Sequence, residues 1–190
     1  KKFPNKKRYN VGYFGSLDKS KGSQFIAKMS SIDKNNDYFI FGGTKNDLLN
    51  FRTKNDCRNI NLNKSIPYGK IQPYLSKMDI LLMPSNRKLL RSIGGVGNIA
   101  KYTSPLKLFD YMASGKLIIM SNLKVFKEVA KDNVDCIILD NLNAINWVKK
   151  INKVKKNVTQ VNSIKKNAYL KSKKYTYLNR AKKILNFDFQ

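Results

Sequence analysis

The chain has 190 residues, enough for one domain with a hydrophobic core, and carries 38 Lys and Arg against 12 Asp and Glu with no His, a net charge of +26. No apolar run reaches the roughly 18 residues of a membrane span, and the basic start lacks a signal peptide's apolar stretch. Two cysteines, Cys57 and Cys136, make neither a disulfide framework nor a zinc site, so a reduced, cytoplasmic setting is expected; a single Glu, Glu128, leaves paired-carboxylate chemistry hard to assemble.

A field of this sign attracts nucleic acid, anionic lipid head groups or phosphorylated substrates. The basic residues run along the whole chain beside abundant Asn and Ile, so a compositional bias accounts for them as well as a binding patch does. Residues 1–8 hold little to bury and read as a linker or a cut end. Residues 9–160 read as one Rossmann-like domain, and 161–190 as a helical tail.

Tyr9 to Leu17 predicts a short strand ending in a turn at Gly15 and Ser16. The loop Asp18 to Gly22 then leads into a helix with Phe25, Ile26 and Met29 on one face. A strand, a glycine-bearing loop and a helix form the place where open parallel sheets bind anions, although the spacing is neither G-x-G-x-x-G nor a Walker A sequence. Lys21 in that loop is either a phosphate clamp or a solvated lysine.

Asp37 to Gly43 predicts the second strand, and Asn46 to Cys57 a helical turn and loop. Ile60 and Leu62, alternating with Asn, predict a third strand at a sheet edge, and the turn holding Ile66 and Tyr68 leads into a helix from Gly69 to Lys77. Asp79 to Pro84 is a fourth apolar run, with Asp79 read as a structural cap. The loop Asn86 to Lys101 has Gly94, Gly95 and Gly97 to let it close over a ligand, and Arg87, Lys88, Arg91 and Lys101 as cations. No aromatic residue is interleaved with those cations before Tyr102, which argues against a base-stacking strip for single-stranded nucleic acid, and nucleic acid is not the expected partner.

The segment Tyr102 to Leu123 organises the rest. Ser104 suits an N-cap and Pro105 a first helical position; Leu106, Phe109, Met112 and Ala113 follow at helical spacing, and Gly115 ends the helix. Leu117 to Met120 is a strand buried on both faces of a parallel sheet. Such a helix offers unpaired amides and partial positive charge to a phosphate at its start, with Asp110 one to two turns on, where a carboxylate can accept from sugar hydroxyls. The alternative reading pairs Asp110 with Lys107 on a solvated helix face.

Val125 to Ala130 predicts a short helix, Cys136 to Leu139 a sixth strand, and Leu142 to Val154 a helix with Trp147 in the core. From Asn162 the tail is basic, and Thr176 caps a last helix carrying Leu178, Ala181, Ile184 and Leu185. Helix follows strand throughout, the pattern of right-handed crossovers in an α/β, doubly wound parallel sheet of about six strands.

SPLKLFDYMASGKLIIMSN resembles the donor-site segment of the retaining GT-B glycosyltransferases usually called family 4, whose members commonly read SPxKxxEYMAxGxPIVxS there. The Lys21-Gly22 loop and the Tyr175-to-Leu185 tail pattern are similar to the same family, and the likeness runs from about Val11 to Phe187. The resemblance implies the C-terminal, donor-binding half of a larger enzyme, inactive alone, that transfers a sugar with retention to a glycan or lipid-linked acceptor held by an N-terminal domain. Its donor is a UDP- or GDP-linked sugar, with no other cofactor. With no D-x-D sequence and no His cluster, no metal is expected.

By the resemblance, Lys21 is the catalytic cation that stabilises the leaving diphosphate, which Gly15, Ser16, Ser104, Leu106 and Lys107 also contact. Asp110 holds the ribose, in place of the family's Glu, Ile66 and Tyr68 meet the nucleobase, and Tyr102 stands at the sugar-contact position where the family has a second Glu. Ser16 replaces a common Arg. Two alternatives remain open: a basic module without catalysis that docks on nucleic acid or an anionic membrane, and a family member that has lost activity. A peripheral position on the inner membrane face is a further expectation from charge.

Overall fold

Ile80, Leu81, Leu82 and Met83 are buried at four consecutive positions, and so are Leu117 to Met120 beside them. The two runs are paired parallel strands covered on both faces, and they lie inside the sheet rather than at its edge. The computed structural model describes residues 7–86, 90–91 and 97–186. Arg87, Lys88, Gly94, Gly95, Phe187 and most of segment 1–8 lie outside the described residues.

The strands are β1 (Tyr9–Phe14), β2 (Asn36–Phe41), β3 (Ile60–Asn63), β4 (Ile80–Met83), β5 (Leu117–Ser121) and β6 (Ile137–Leu139). They lie in the order β3-β2-β1-β4-β5-β6, with every neighbouring pair parallel. The helices are α1 (Ser23–Ile32), α2 (Lys45–Lys54), α3 (Gln72–Lys77), α4 (Leu106–Ala113), α5 (Lys124–Lys127), α6 (Ala144–Val154), α7 (Val158–Ser172) and α8 (Tyr177–Leu185). The direction of winding reverses between β1 and β4, so the ends of these strands part into a crevice, the usual ligand position in this architecture.

Alternate residues of each strand feed two cores. Val11, Ile40, Ile80, Leu82 and Ile119 meet Ile26 and Met29 of α1 and Trp147 and Ile151 of α6 on one face. Leu81, Met83, Ile118 and Met120 meet Leu108, Tyr111 and Met112 of α4 on the other. Trp147 is fully buried, its Nε1 donating to the Asn141 carbonyl at 2.8 Å, and its ring meets Phe25 edge-on. Each face therefore holds its helices by apolar contact, and α4 is pinned with its start at the crevice.

Four sequence expectations are corrected. Residues 45–54 are a full helix rather than a turn and loop, because Thr44 and Asp47 form a reciprocal capping box at its start. Ser104 does not cap α4; Pro105 occupies the cap position, and the helix begins at Leu106. Asp110 does not pair with Lys107, for the two side chains go to different partners. The boundary at 160/161 falls inside α7, whose Val161, Ile164 and Ala168 are buried in the two cores; α7 is thus part of the domain, and α8, with no buried residue, lies outside its core. Gly115 does end α4, at a φ of 63°.

Candidate functional site

The loop after β1 is set by short-range chemistry. Asp18 accepts from the backbone N–H of Ser20 at 2.7 Å and from its hydroxyl, fixing a 3-10 turn at Lys19–Lys21. Gly22 closes the turn at a φ of 85°, and a Cβ there would overlap the carbonyl oxygen of Pro84. Glycine is required twice over, by the backbone angle and by the approach of the segment leaving β4. The loops are stitched further where Asn86 N–H donates to Ser20 O at 2.8 Å and Arg91 N–H to Ser20 Oγ at 3.0 Å. Lys21 is thereby held at the β1/β4 crevice.

On the other side of the crevice stands α4. Tyr111 is buried and its hydroxyl accepts from Phe14 N–H at 2.9 Å, tying the helix to the last residue of β1. One turn earlier, Lys107 turns inward, with Nζ 4.3 Å from the centre of the Tyr13 ring. A Cβ on Gly15 would overlap that Nζ, so the ammonium packs directly on the backbone at the end of β1. Burial, and then the charge of Lys21, push Lys107 down to a pKa of about 7. Two lysines thus share one crevice, and neither forms a salt bridge among the described residues. The N–H groups of Leu106 and Lys107 open the helix beside them without an acceptor among the described residues. Cations, free amides and a helix start together make an anion site.

Asp110 faces away from the crevice into a cavity of about 930 Å³ between α4 and α8. The Tyr68 hydroxyl donates to its Oδ1 at 2.8 Å, and Oδ2 accepts from no described residue. Burial raises its pKa, and the Tyr68 hydrogen bond opposes that rise. Ser104 and Leu106 line the same cavity, joined by Tyr175, Tyr177, Arg180 and Lys183 from the tail.

The expected site residues therefore fall into two adjoining sets on α4. Gly15, Lys21 and Lys107 meet in the crevice; Tyr68, Ser104, Leu106 and Asp110 share the cavity. Ser16 is exposed beside the crevice, its carbonyl accepting from Tyr13 OH at 2.9 Å. Ile66 packs against the second core, and Tyr102 is 84 % exposed and outside the cavity lining. Sequence reasoning missed Tyr13 and Tyr111, which fix Lys107 and α4; nothing local marks either, since both act on residues distant in the chain.

A family model described as glycosyl transferases group 1 matches residues 1–171. The chain belongs to that family. No curated protein matches it. Among solved structures, the C-terminal domain of LpcC, a glycosyl transferase group 1 protein from Francisella tularensis, is similar at 18% identity over 89% of this chain and 87% of that one, with a TM-score of 0.67. TarM of S. aureus is similar at 17% identity and a TM-score of 0.70, over 95% of this chain and 35% of TarM. HepE from Anabaena, solved with UDP-glucose, is similar at 13% identity and a TM-score of 0.71, over 95% of this chain and 49% of HepE. At these identities the likeness establishes the fold, that of the C-terminal domain of GT-B glycosyltransferases, and the glycosyltransferase domain described here spans half or less of TarM and HepE.

Proposed function

We propose that this domain binds a nucleotide-diphosphate sugar, and that the intact enzyme transfers the sugar, with retention at the anomeric carbon, to a glycan or lipid-linked acceptor. The observation that carries the reading is the pairing of Lys21 and Lys107 in one crevice, beside the free amides that open α4. Breaking a glycosyl–phosphate bond leaves negative charge on the departing diphosphate. Cations and amides already fixed where that charge develops stabilise it without rearrangement. Lys21 and Lys107 supply charge, the Leu106 and Lys107 amides supply oriented dipoles, and neutralisation is the work of the protein rather than of a metal. Asp110 holds the ribose through its open Oδ2, with Tyr68 keeping the carboxylate in place. The UDP-glucose bound by HepE supports a nucleotide-sugar donor.

Calorimetric titration with UDP and GDP, at low and high salt and again with Asp110→Ala, tests this. The expected result is saturable binding that prefers one nucleotide, survives salt and is lost in the variant. Weak binding that ignores the base and disappears with salt would instead identify a basic module acting by charge alone.

A second property, peripheral attachment to an anionic membrane, is supported by the tail. Residues 141–187 hold thirteen Lys and Arg and no Asp or Glu. In α8, Leu178, Ile184 and Leu185 are exposed at 64, 59 and 82%, with Lys182 beside them. A short helix with an apolar stripe and basic flanks suits the head-group region of an anionic bilayer. Co-sedimentation with vesicles that does not depend on anionic lipid would refute it.

A further inference from the structure

We infer that α8 is a wall of the nucleoside site, with Tyr177 as the group that stacks on the base and Arg180 and Lys183 as its cationic flank. This rests on the donor reading above; α8 lies beyond the family-model match, which ends at residue 171.

The first observation is shared space. Tyr177, Asn179, Arg180 and Lys183 line the same cavity as Tyr68 and Asp110, and at about 930 Å³ it is large enough for a nucleoside. Tyr177, Arg180 and Lys183 recur every three residues and so share one side of the helix.

The second is the way α8 is turned. Its apolar residues Leu178, Ala181, Ile184 and Leu185 are absent from the cavity lining, and the three large ones are exposed. An amphipathic helix docked only to bury its stripe would face the other way. Here the polar and aromatic side faces Asp110 and the apolar side faces out.

The third is that this placement is held. Tyr175 stacks on Phe109 of α4 with ring centres 4.7 Å apart. Asn179 Nδ2 donates to the carbonyls of Lys173 and Lys174 at 3.2 and 3.3 Å, and Thr176 Oγ1 accepts from Asn179 N–H at 3.1 Å. The α7–α8 turn is therefore locked beside α4, with Tyr177 between the locking residues Thr176 and Asn179. Tyr177 also lies near enough to Tyr68 to raise its phenol pKa, behind the larger effects of the Asp110 hydrogen bond, the Asp110 charge and burial.

The chemistry of the lining suits a planar, anionic ligand. Tyr68 and Tyr177, 66 and 78% exposed, bring two largely uncovered rings to a cavity that needs something flat between or against them. Lys173, Lys174, Arg180 and Lys183 surround it, against one carboxylate, Asp110, that already accepts from Tyr68.

The test is calorimetric titration of the 190-residue chain and its Tyr177→Ala, Tyr177→Phe and Asp110→Ala variants with UDP, GDP and inorganic pyrophosphate. A stacking ring predicts that Tyr177→Ala weakens the preferred nucleotide about tenfold, that Tyr177→Phe restores it to within about twofold, and that pyrophosphate binding stays unchanged in both. Because Tyr177 is so exposed, both variants should melt with the parent chain. Wild-type affinity in Tyr177→Ala, with binding lost in Asp110→Ala, overturns the role of α8 and leaves the donor site standing. Equal loss of pyrophosphate and nucleotide in Tyr177→Ala also overturns stacking. If the parent chain binds neither nucleotide, the donor reading falls, and this inference with it.

Discussion

The Tyr68 hydroxyl donates to Asp110 Oδ1 at 2.8 Å, joining the turn after β3 to α4 across 42 positions of sequence. That bond lowers a carboxyl pKa that burial raises. Tyr68→Phe should therefore let the Asp110 pKa climb further, which carboxyl NMR titration would detect. Nucleotide affinity should fall less than in Asp110→Ala, because the carboxylate survives, with its Oδ2 still unpaired among the described residues. An unmoved Asp110 resonance in Tyr68→Phe would mean that the bond is not populated in solution.

Lys107 gives the site a pH dependence. Its folded pKa, about 7, lies below its ordinary 10.5, so between those values the unfolded chain binds more protons and stability rises with pH. Ligand binding runs the other way, since a diphosphate favours the ammonium and draws a proton onto Lys107. Above pH 7, nucleotide affinity should drop with rising pH, by at most about tenfold per unit. Titration at pH 8 in buffers of different ionisation enthalpy should reveal proton uptake that disappears in Lys107→Met.

Gly22→Ala puts a side chain at a φ of 85° and against the Pro84 carbonyl. The expected cost is about 1–3 kcal/mol, read as a lower melting temperature by circular dichroism. Nucleotide affinity should fall as well, because the same turn sets Lys21. Gly97→Ala is the control: its φ of 74° is similarly left-handed, but nothing stands within 4 Å of its Cβ position.

Tyr111→Phe removes the oxygen that accepts from Phe14 N–H and leaves a buried amide unsatisfied. A loss of about 1–3 kcal/mol in urea unfolding is expected. The consequence for function is more specific. Since Tyr111 registers α4 against β1, the Lys107–Gly15 contact should loosen and pyrophosphate binding weaken with it.

Much of this was readable without coordinates because it depends on neighbours in the chain. Four apolar residues between turn signals, too few for a typical helix, fit a doubly covered strand, as at Leu117 to Met120, and Gly115 stops the helix before it for reasons of its own backbone. The T-x-x-D sequence of Thr44 and Asp47 was equally local, and reading it would have turned the expected loop into α2. Tertiary structure decided what depends on distant residues. Lys107 and Asp110 are three apart on one helix and were candidates for a pair; Tyr13 and Gly15 draw one inward, while Tyr68 draws the other out. The sequence of α8 shows an amphipathic helix but not which side faces the body. That was set by Phe109 under Tyr175 and by Asn179 on the turn, contacts between parts of the chain whose meeting no local pattern encodes.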